Sequence, residues 1–341
     1  MGVKLTAIVP RQGISFDELS GKKIAVDFSN AVFQFLSSIR QTDGTPLMDS
    51  HGNITSHLQG LFARSCNLLG RGIKLCYVFD GAPPKLKIMA QRERRERKLA
   101  AKEKFSKAME EEDIEAMRRY AKQTSFLNEK MVQESMELLK ALGLPIVQSP
   151  SEADAQAAFM CKNDDVWVVA SSDYDCLLYG AKRMVTNLTV SQKRRLPSGT
   201  VVDINPDLIA LDSVLGSLEI NQEQLITLAI LIGTDYNLGG VKGIGPKNAL
   251  KLVKGAKNKK DFGRIFKQVN AKFDWEEIYN IFKKMPVDKN YKLEWKNIDI
   301  KTIKDILVKK HDFSEERINK TLEKLEGNIK TKAQTGLNKW I

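Results

Sequence analysis

Three short apolar runs in this chain end in carboxylates. Ile24-Ala25-Val26 precedes Asp27, Lys74 to Phe79 (KLCYVF) precedes Asp80, and Val166 to Ala170 (VWVVA) precedes Asp173 and Asp175. Glu152 and Asp154 open a helix-forming stretch (SPSEADAQAA), and Asp235 follows the apolar run Gln224 to Ile232 through Gly233-Thr234. A single acid at a strand end commonly caps the next helix or turn. Ser151-x-x-Asp154 has the form of a capping box, and acids in a first turn complement the helix dipole. Seven carboxylates at element ends (Asp27, Asp80, Glu152, Asp154, Asp173, Asp175, Asp235) exceed what capping needs. Gathered in one cleft they could not all stay ionised without cations, because like charges raise one another's pKa. Oxygen ligands without clustered His or Cys point to Mg²⁺ or Mn²⁺. Such a centre suits phosphodiester hydrolysis by two ions about 3.5–4 Å apart, one activating water and the other stabilising the leaving oxygen. His51, His57 and His311 fall outside these loops and read as surface or packing residues.

The elements that must position these acids follow from the same pattern. Each run reads as a buried strand, with helices at Ser56–Leu69 and Asn128–Leu142 between them. Strands alternating with helices imply an α/β fold with a twisted, mostly parallel sheet flanked by helices, whose ligands gather at the carboxyl ends of the strands. Leu86 to Phe126 is almost free of Gly and Pro, starts basic and turns acidic at Glu110–Glu115, so it should be helical. After Val201–Ile204 the chain is mostly helical. Gly243-Ile244-Gly245-Pro246-Lys247 has the form of a helix-hairpin-helix turn, where Gly243 and Gly245 let backbone N–H groups approach a phosphate beside Lys247. Past about Glu326 the composition becomes small and polar and predicts a flexible tail.

Composition narrows the partners. The 341 residues suit one large or two ordinary domains, and 42% apolar residues exclude global disorder. With 54 Lys and Arg against 42 Asp and Glu the net charge is +12. Lys85 to Lys107 carries +7 and Lys242 to Lys272 carries +9, which leaves the rest at −4. Balanced charge on a helix is usually a solvated face laced with i,i+4 pairs. Two stripes this basic around an acidic cleft favour nucleic acid, bound through its backbone. No run of 18 apolar residues exists, so no membrane span or membrane partner is expected, and MGVKLTAIVP lacks a signal-peptide pattern. Cys66, Cys76, Cys161 and Cys176 are scattered, without zinc or disulfide spacing, and suit a reducing, cytoplasmic setting. In the polar tail, Gln334, Leu337, Trp340 and Ile341 are spaced for a one-turn helix that docks apolar anchors in a partner's pocket.

The blocks VDFSNAVFQFL, YVFDGAPPKLK, SPSEADAQAA, SSDYDCLLYG and ILIGTDYNLGGVKGIGPK resemble those of archaeal flap endonucleases. The wider family includes the eukaryotic flap endonuclease, exonuclease one and the repair nuclease XPG. The resemblance spans the chain from Gly2 to Ile341. It implies a PIN-like 5′-nuclease core with a helical arch and a helix-hairpin-helix DNA-binding element. The chain then divides into an N-terminal nuclease region (1–98), an arch (99–127, its basic part beginning near 85) and an internal nuclease region (128–258). A C-terminal helical region (259–326) and a tail (327–341) with a clamp-binding motif at 333–341 complete it.

By the same resemblance Asp27, Asp80, Glu152 and Asp154 serve a first metal, and Asp173, Asp175 and Asp235 a second. Lys87 and Arg94 act with Asp175 in catalysis, entering from the arch to stabilise the phosphate. Phe33, Arg40, Arg64 and Gly233 contact DNA, alongside Glu152 and Asp235. Phe33 stands where many relatives have Tyr, which keeps stacking and loses a hydroxyl. Asp154 stands where Glu is common. The tail resembles the family's motif for the sliding clamp (PCNA), ending in Trp-Ile and not in two aromatics. The implied protein is a monomeric, Mg²⁺-dependent 5′-flap endonuclease and 5′–3′ exonuclease, with two ions and Mn²⁺ as a substitute. It would cut flap and branched duplex DNA during Okazaki-fragment maturation and base-excision repair. The alternatives are an exonuclease-biased relative and a catalytically silent, clamp-tethered junction binder.

Overall fold

The acid-ended runs fold as adjacent strands. The computed structural model describes residues 3–111, 113, 120, 126–190, 193–195 and 200–337. In chain order a short β1 (Gln12–Gly13) precedes β2 (Lys23–Asp27), α1 (Phe28–Ser38), α2 (Ser56–Gly70) and β3 (Lys74–Phe79). Then come α3 (Lys85–Glu110), α4 (Glu129–Ala141), β4 (Ile146–Gln148), α5 (Ala153–Lys162), β5 (Val168–Ala170), α6 (Asp175–Leu178) and β6 (Arg183–Thr186). A two-stranded ribbon of β7 (Lys193–Arg195) and β8 (Val201–Asp203) leads to β9 (Asp207–Ala210). The helical half holds α7 (Leu211–Leu218), α8 (Gln222–Ile232), α9 (Pro246–Lys254), α10 (Lys259–Gln268) and α11 (Trp275–Lys284). It ends with α12 (Ile300–Lys304), a single π-helical turn at Asp305–Lys309, and α13 (Glu315–Leu337).

The main sheet has the order β1-β9-β6-β5-β2-β3-β4. Strands β6, β5, β2, β3 and β4 are parallel, and β9 and β1 complete one edge antiparallel. In β2 the register sets Val26 beside Tyr77 on one side and Ala170 on the other. Alternation along each strand sorts its side chains between two cores. Ala25, Cys76, Val78 and Val169 face one, with Ala157, Leu228 and Val253 from α5, α8 and α9. Ile24, Val26, Leu75, Tyr77 and Val168 face the other, with Val32, Leu61, Leu138 and Leu322 from α1, α2, α4 and α13. A sheet buried on both faces leaves its strand ends as the place where polar groups can collect, and β2 and β3 stop at Asp27 and just before Asp80.

Two local expectations are corrected. No capping box forms at Ser151 and Asp154. The helix starts at Ala153 with Glu152 at the cap position and no side-chain cap bond. Ser151 Oγ donates instead to Ala82 O at 2.8 Å, which ties the turn after β4 to the end of β3. Nor does helix stop near Glu326: α13 continues to Leu337. Beyond Gly327 most residues are tolerated in a helix, and Lys332 Nζ donates to Ser20 Oγ at 3.0 Å, which holds this stretch to the body. All four cysteines are buried thiols, and burial pushes Cys66 and Cys76 up to about 12. Among the described residues no helix is long and apolar enough to cross a membrane.

Candidate active site and nucleic-acid interface

Asp27 closes β2 and caps α1, its Oδ1 accepting from Asn30 N at 3.1 Å. The cap does not exhaust its role. Burial, then the charges of Asp80 and Asp173, raise its carboxyl from the usual range to about 7. Asp80 follows β3, and its two oxygens tie separate elements together. Oδ2 accepts from Ser29 Oγ at 2.5 Å, and Oδ1 accepts from Ala153 N at 2.9 Å. Asp80 thus satisfies the first amide of α5, the task that the sequence pattern gave to Ser151, and leaves Glu152 and Asp154 without capping duty.

Gly81 makes this junction possible. Its N–H donates to Ser151 O at 2.6 Å, and a Cβ there would lie 2.3 Å from Ser149 O and 2.6 Å from Pro150 C. Backbone meets backbone at that point, so Asp80 and Glu152 are brought together by the absence of a side chain. Asp235 sits on the loop after α8 at 5% exposure. That loop turns at Gly233, whose φ of +105° favours glycine and whose added Cβ would meet Gly240 N at 2.6 Å. The structure therefore gives Gly233 a conformational task.

Carboxylate oxygens of Asp154, Asp173 and Asp175 lie within 4.8 Å of one another. Two of the three are fixed from the backbone: Val3 N donates to Asp175 Oδ1 at 3.2 Å and Asp175 N to Asp173 Oδ1 at 3.3 Å, while Asp173 N donates to Ser171 Oγ at 3.1 Å. Burial and mutual repulsion push Asp154 and Asp175 well above the ordinary carboxylate range and raise Asp173. Burial also raises Glu152, with Asp80 and Asp235 adding to it against the pull of Lys87. These influences join all seven acids in one electrostatic network, as their positions at element ends predict. Within it Asp154, placed with the first set by resemblance, faces Asp27 of that set and also groups with Asp173 and Asp175 of the second.

The network fits a divalent cation. Asp154 Oδ1 is buried and has no hydrogen-bond partner among the described residues. An unsatisfied anionic oxygen facing two more carboxylates is costly without a positive ion, and the donors are all hard oxygens. Lys87, on α3, reaches into the same space: its ammonium pairs with Glu152 and lies 3.8 Å from Asp235 Oδ2. Burial works against that charge, but Glu152, Asp80 and Asp235 outweigh it and hold Lys87 above its usual value.

The DNA candidates spread around this centre. Phe33 on α1 is 36% exposed, and Lys98 Nζ of α3 stands 4.4 Å from its ring centroid. Arg40 Nε and Nη1 donate to Leu36 O and Gly44 O, each at 2.9 Å, and Arg64 is half-buried on α2. Gly243 (φ +83°) and Gly245 lead into α9, and an added Cβ at either would meet open space, so this turn presents bare backbone beside exposed Lys247. Arg94 lies on α3 and Gln334 and Leu337 lie on α13, but the side chains of these three fall outside the description, as do Trp340 and Ile341 entirely. His57 and His311 are buried, in keeping with packing roles. Sequence reasoning missed Gly81, Ser29 and Val3. Only Gly81 left a signal, a glycine directly after a strand-end acid.

Fold and site together define a nuclease of the XPG class: residues 1–101 match the XPG N-terminal domain and residues 143–235 the XPG I-region. The chain is 48% identical over 342 residues to flap endonuclease 1 of Pyrococcus furiosus, covering 100% of this chain and 99% of that protein. A solved flap endonuclease-1 from Methanococcus jannaschii superposes with a TM-score of 0.77 at 43% identity, covering 97% of this chain and all of that one. The catalytic core of Rad2 in complex with a DNA substrate shares the fold at 23% identity, with a TM-score of 0.67 over 92% of this chain and 96% of that one. The chain belongs to the flap endonuclease 1 family.

Proposed function

We propose that this chain is a structure-specific 5′-flap endonuclease with 5′–3′ exonuclease activity, acting in the cytoplasm as a monomer during DNA replication and base-excision repair. The observation that carries the reading is the partly buried Asp154–Asp173–Asp175 cluster, with an orphaned oxygen on Asp154, in one electrostatic network with a lysine from the basic helix α3. Asp27, Asp80, Glu152 and Asp154 would hold one Mg²⁺, and Asp173, Asp175 and Asp235 a second, with Mn²⁺ as substitute. Bound ions of this kind supply water activation and leaving-oxygen stabilisation.

The chain's own residues do the rest. Backbone bonds from Val3, Asn30 and Ala153 fix the carboxylates before substrate arrives, so little reorganisation is needed at the reacting phosphate. Lys87 supplies positive charge where charge develops on that phosphate. Arg94, seven residues further along α3, would add a second positive charge. Phe33 offers a surface for base stacking, and Arg40, Arg64 and the Gly243–Lys247 turn grip the backbones of flap and branched duplexes without reading sequence. Gln334, Leu337, Trp340 and Ile341 would tether the enzyme to the sliding clamp. A 5′-flap duplex incubated with and without Mg²⁺ tests the reading: cleavage at the junction only with the ion supports it, and metal-independent cleavage or none overturns it.

A further inference from the structure

Two buried histidines have no part in that chemistry, and one of them ties down a loop that lacks a core of its own. Between α1 and α2 the chain makes a hairpin, with antiparallel bridges at Arg40–Pro46 and Met48–Ile54. From Gln41 to Ile54 the only buried residues are Gly44 and Asp49, and Met48 is 49% exposed. Apart from Ile54, which packs against the core at the base of the hairpin, apolar packing does not hold it in place. Asp49 does. Its Oδ1 accepts from His51 N at 3.0 Å and Asn53 N at 2.8 Å, and Oδ2 accepts from Asn53 Nδ2 at 2.9 Å. The same Oδ2 lies 2.8 Å from Nδ1 of His311, which comes from the segment between the π-helical turn and α13. These bonds, with that of His311 in the set, hold the Asp49 carboxyl well below its ordinary value against the effect of burial.

The tie has neighbours on every side. Ser50 N and Oγ donate to Asp312 Oδ2 at 2.9 and 2.5 Å. On α4, Glu134 Oε1 lies 3.3 Å from His311 Nε2, and Lys130 Nζ donates to Asn53 Oδ1 at 3.0 Å. His57, at the start of α2, lies 3.9 Å from Glu134 Oε2. At the other end of the hairpin, Arg40 bonds both to Leu36 O, near the C-terminal end of α1, and to Gly44 O, so a shift of the hairpin must move Arg40.

We propose that His311 is a positioning residue for duplex DNA: through Asp49 it fixes the Arg40–Ile54 hairpin, and with it Arg40, in the orientation that meets the substrate. The inference rests on the reading of Arg40 as a DNA contact. Without His311 a buried carboxylate loses a charge-assisted partner, and the hairpin is released at its Asp49 end. Binding should suffer and the chemical step should not.

The full-length enzyme, cleaving a 5′-flap duplex in Mg²⁺, provides the test. His311→Ala should raise KM about tenfold, the size of one lost charge-assisted hydrogen bond, with kcat within about twofold. His311→Asn should restore KM, because its Nδ2 stands where the imidazole Nδ1 stood, and His311→Gln, whose amide mimics Nε2, should not. A KM unchanged in His311→Ala, an equal fall in kcat, or no difference between the Asn and Gln variants overturns the proposal. If the Ala variant does not fold, the Asn–Gln comparison decides the matter alone. Arg40→Ala separates the two readings: a normal KM there removes Arg40 as a DNA contact, whereas a raised KM beside an unaffected His311→Ala removes only the tie.

Discussion

The Lys87 ammonium lies among the acids of the site, paired with Glu152 and 3.8 Å from Asp235. The Lys87 charge inside a network of seven carboxylates acts as their counter-ion, and a divalent cation entering that space must compete with it. Lys87→Met should therefore bind Mn²⁺ more tightly than the parent protein when titrated calorimetrically without DNA. In flap cleavage the same variant should lose about a hundredfold in kcat with little change in KM, as expected for a charge used as the transition state forms. Equal losses in kcat and affinity would make Lys87 a plain binding residue.

Asp175 belongs to the same network, held by Val3 N and repelled by Asp173 and Asp235. Asp175→Ala should abolish cleavage of a 5′-flap duplex and leave flap binding, read by fluorescence anisotropy, largely intact. Cleavage at the parent rate would remove Asp175 from the metal ligands.

At Gly81 the prediction is steric. An alanine Cβ would press on the backbone of Ser149 and Pro150, and overpacking of this kind costs about 1–3 kcal/mol. Gly81→Ala should lower unfolding stability in urea by that amount. It should also reduce kcat, because Asp80 and Glu152 are joined through this contact. A variant that is destabilised but fully active would show that the contact serves the fold alone.

The same physics separates what was legible in the sequence from what was not. Asp27, Asp80 and Asp173 could be read because each follows a short apolar run, and a strand buried on both faces ends where its acid must lie. The hairpin of α8 and α9 was legible for a similar reason, since glycines at Gly243 and Gly245 punctuate an apolar helix and a basic one. The capping of α5 was not. Ser151 and Asp154 have the right spacing, but Asp80, 73 residues away, supplies the acceptor. A local rule lost there to a contact made by the sheet. His311 and Asp49, 262 residues apart, are beyond any local rule.

Acid stability offers a fourth test. Burial, aided by repulsion from His311, depresses His57 from its ordinary 6.5 to about 3. The unfolded chain thus takes up this proton first as pH falls from 6.5 towards 3, and stability drops by about 1.4 kcal/mol per unit in that window. Asp27 has the opposite sign. With a folded value near 7 it is protonated first in the native state, so between pH 7 and 3.8 the metal-free fold gains from acidification. Comparing His57→Leu with the parent cancels Asp27. From pH 7 to pH 5 the variant should gain about 2 kcal/mol relative to the parent in chemical unfolding. Parallel pH profiles would place the His57 value near that of free histidine.

Salt and metal should act on different steps. If the two basic stretches, Lys85–Lys107 and Lys242–Lys272, meet phosphates through charge, as proposed, flap affinity should fall steeply as KCl rises from about 50 to 200 mM, roughly 10³-fold or more for six or more neutralised phosphates. Chelation at constant salt should stop cutting and leave the complex intact on a gel. Loss of the complex on chelation would mean that the ions, and not the basic stretches, hold the DNA.

The four buried cysteines have a practical consequence. With every native thiol out of solvent, and Cys66 and Cys76 pushed up to about 12, maleimides at neutral pH meet a silent background. Leu99 on α3 is 54% exposed. A cysteine at that one position would carry a fluorophore or spin label on the basic helix of an otherwise unaltered enzyme, so the approach of that helix to a labelled 5′ strand could be followed during a single turnover.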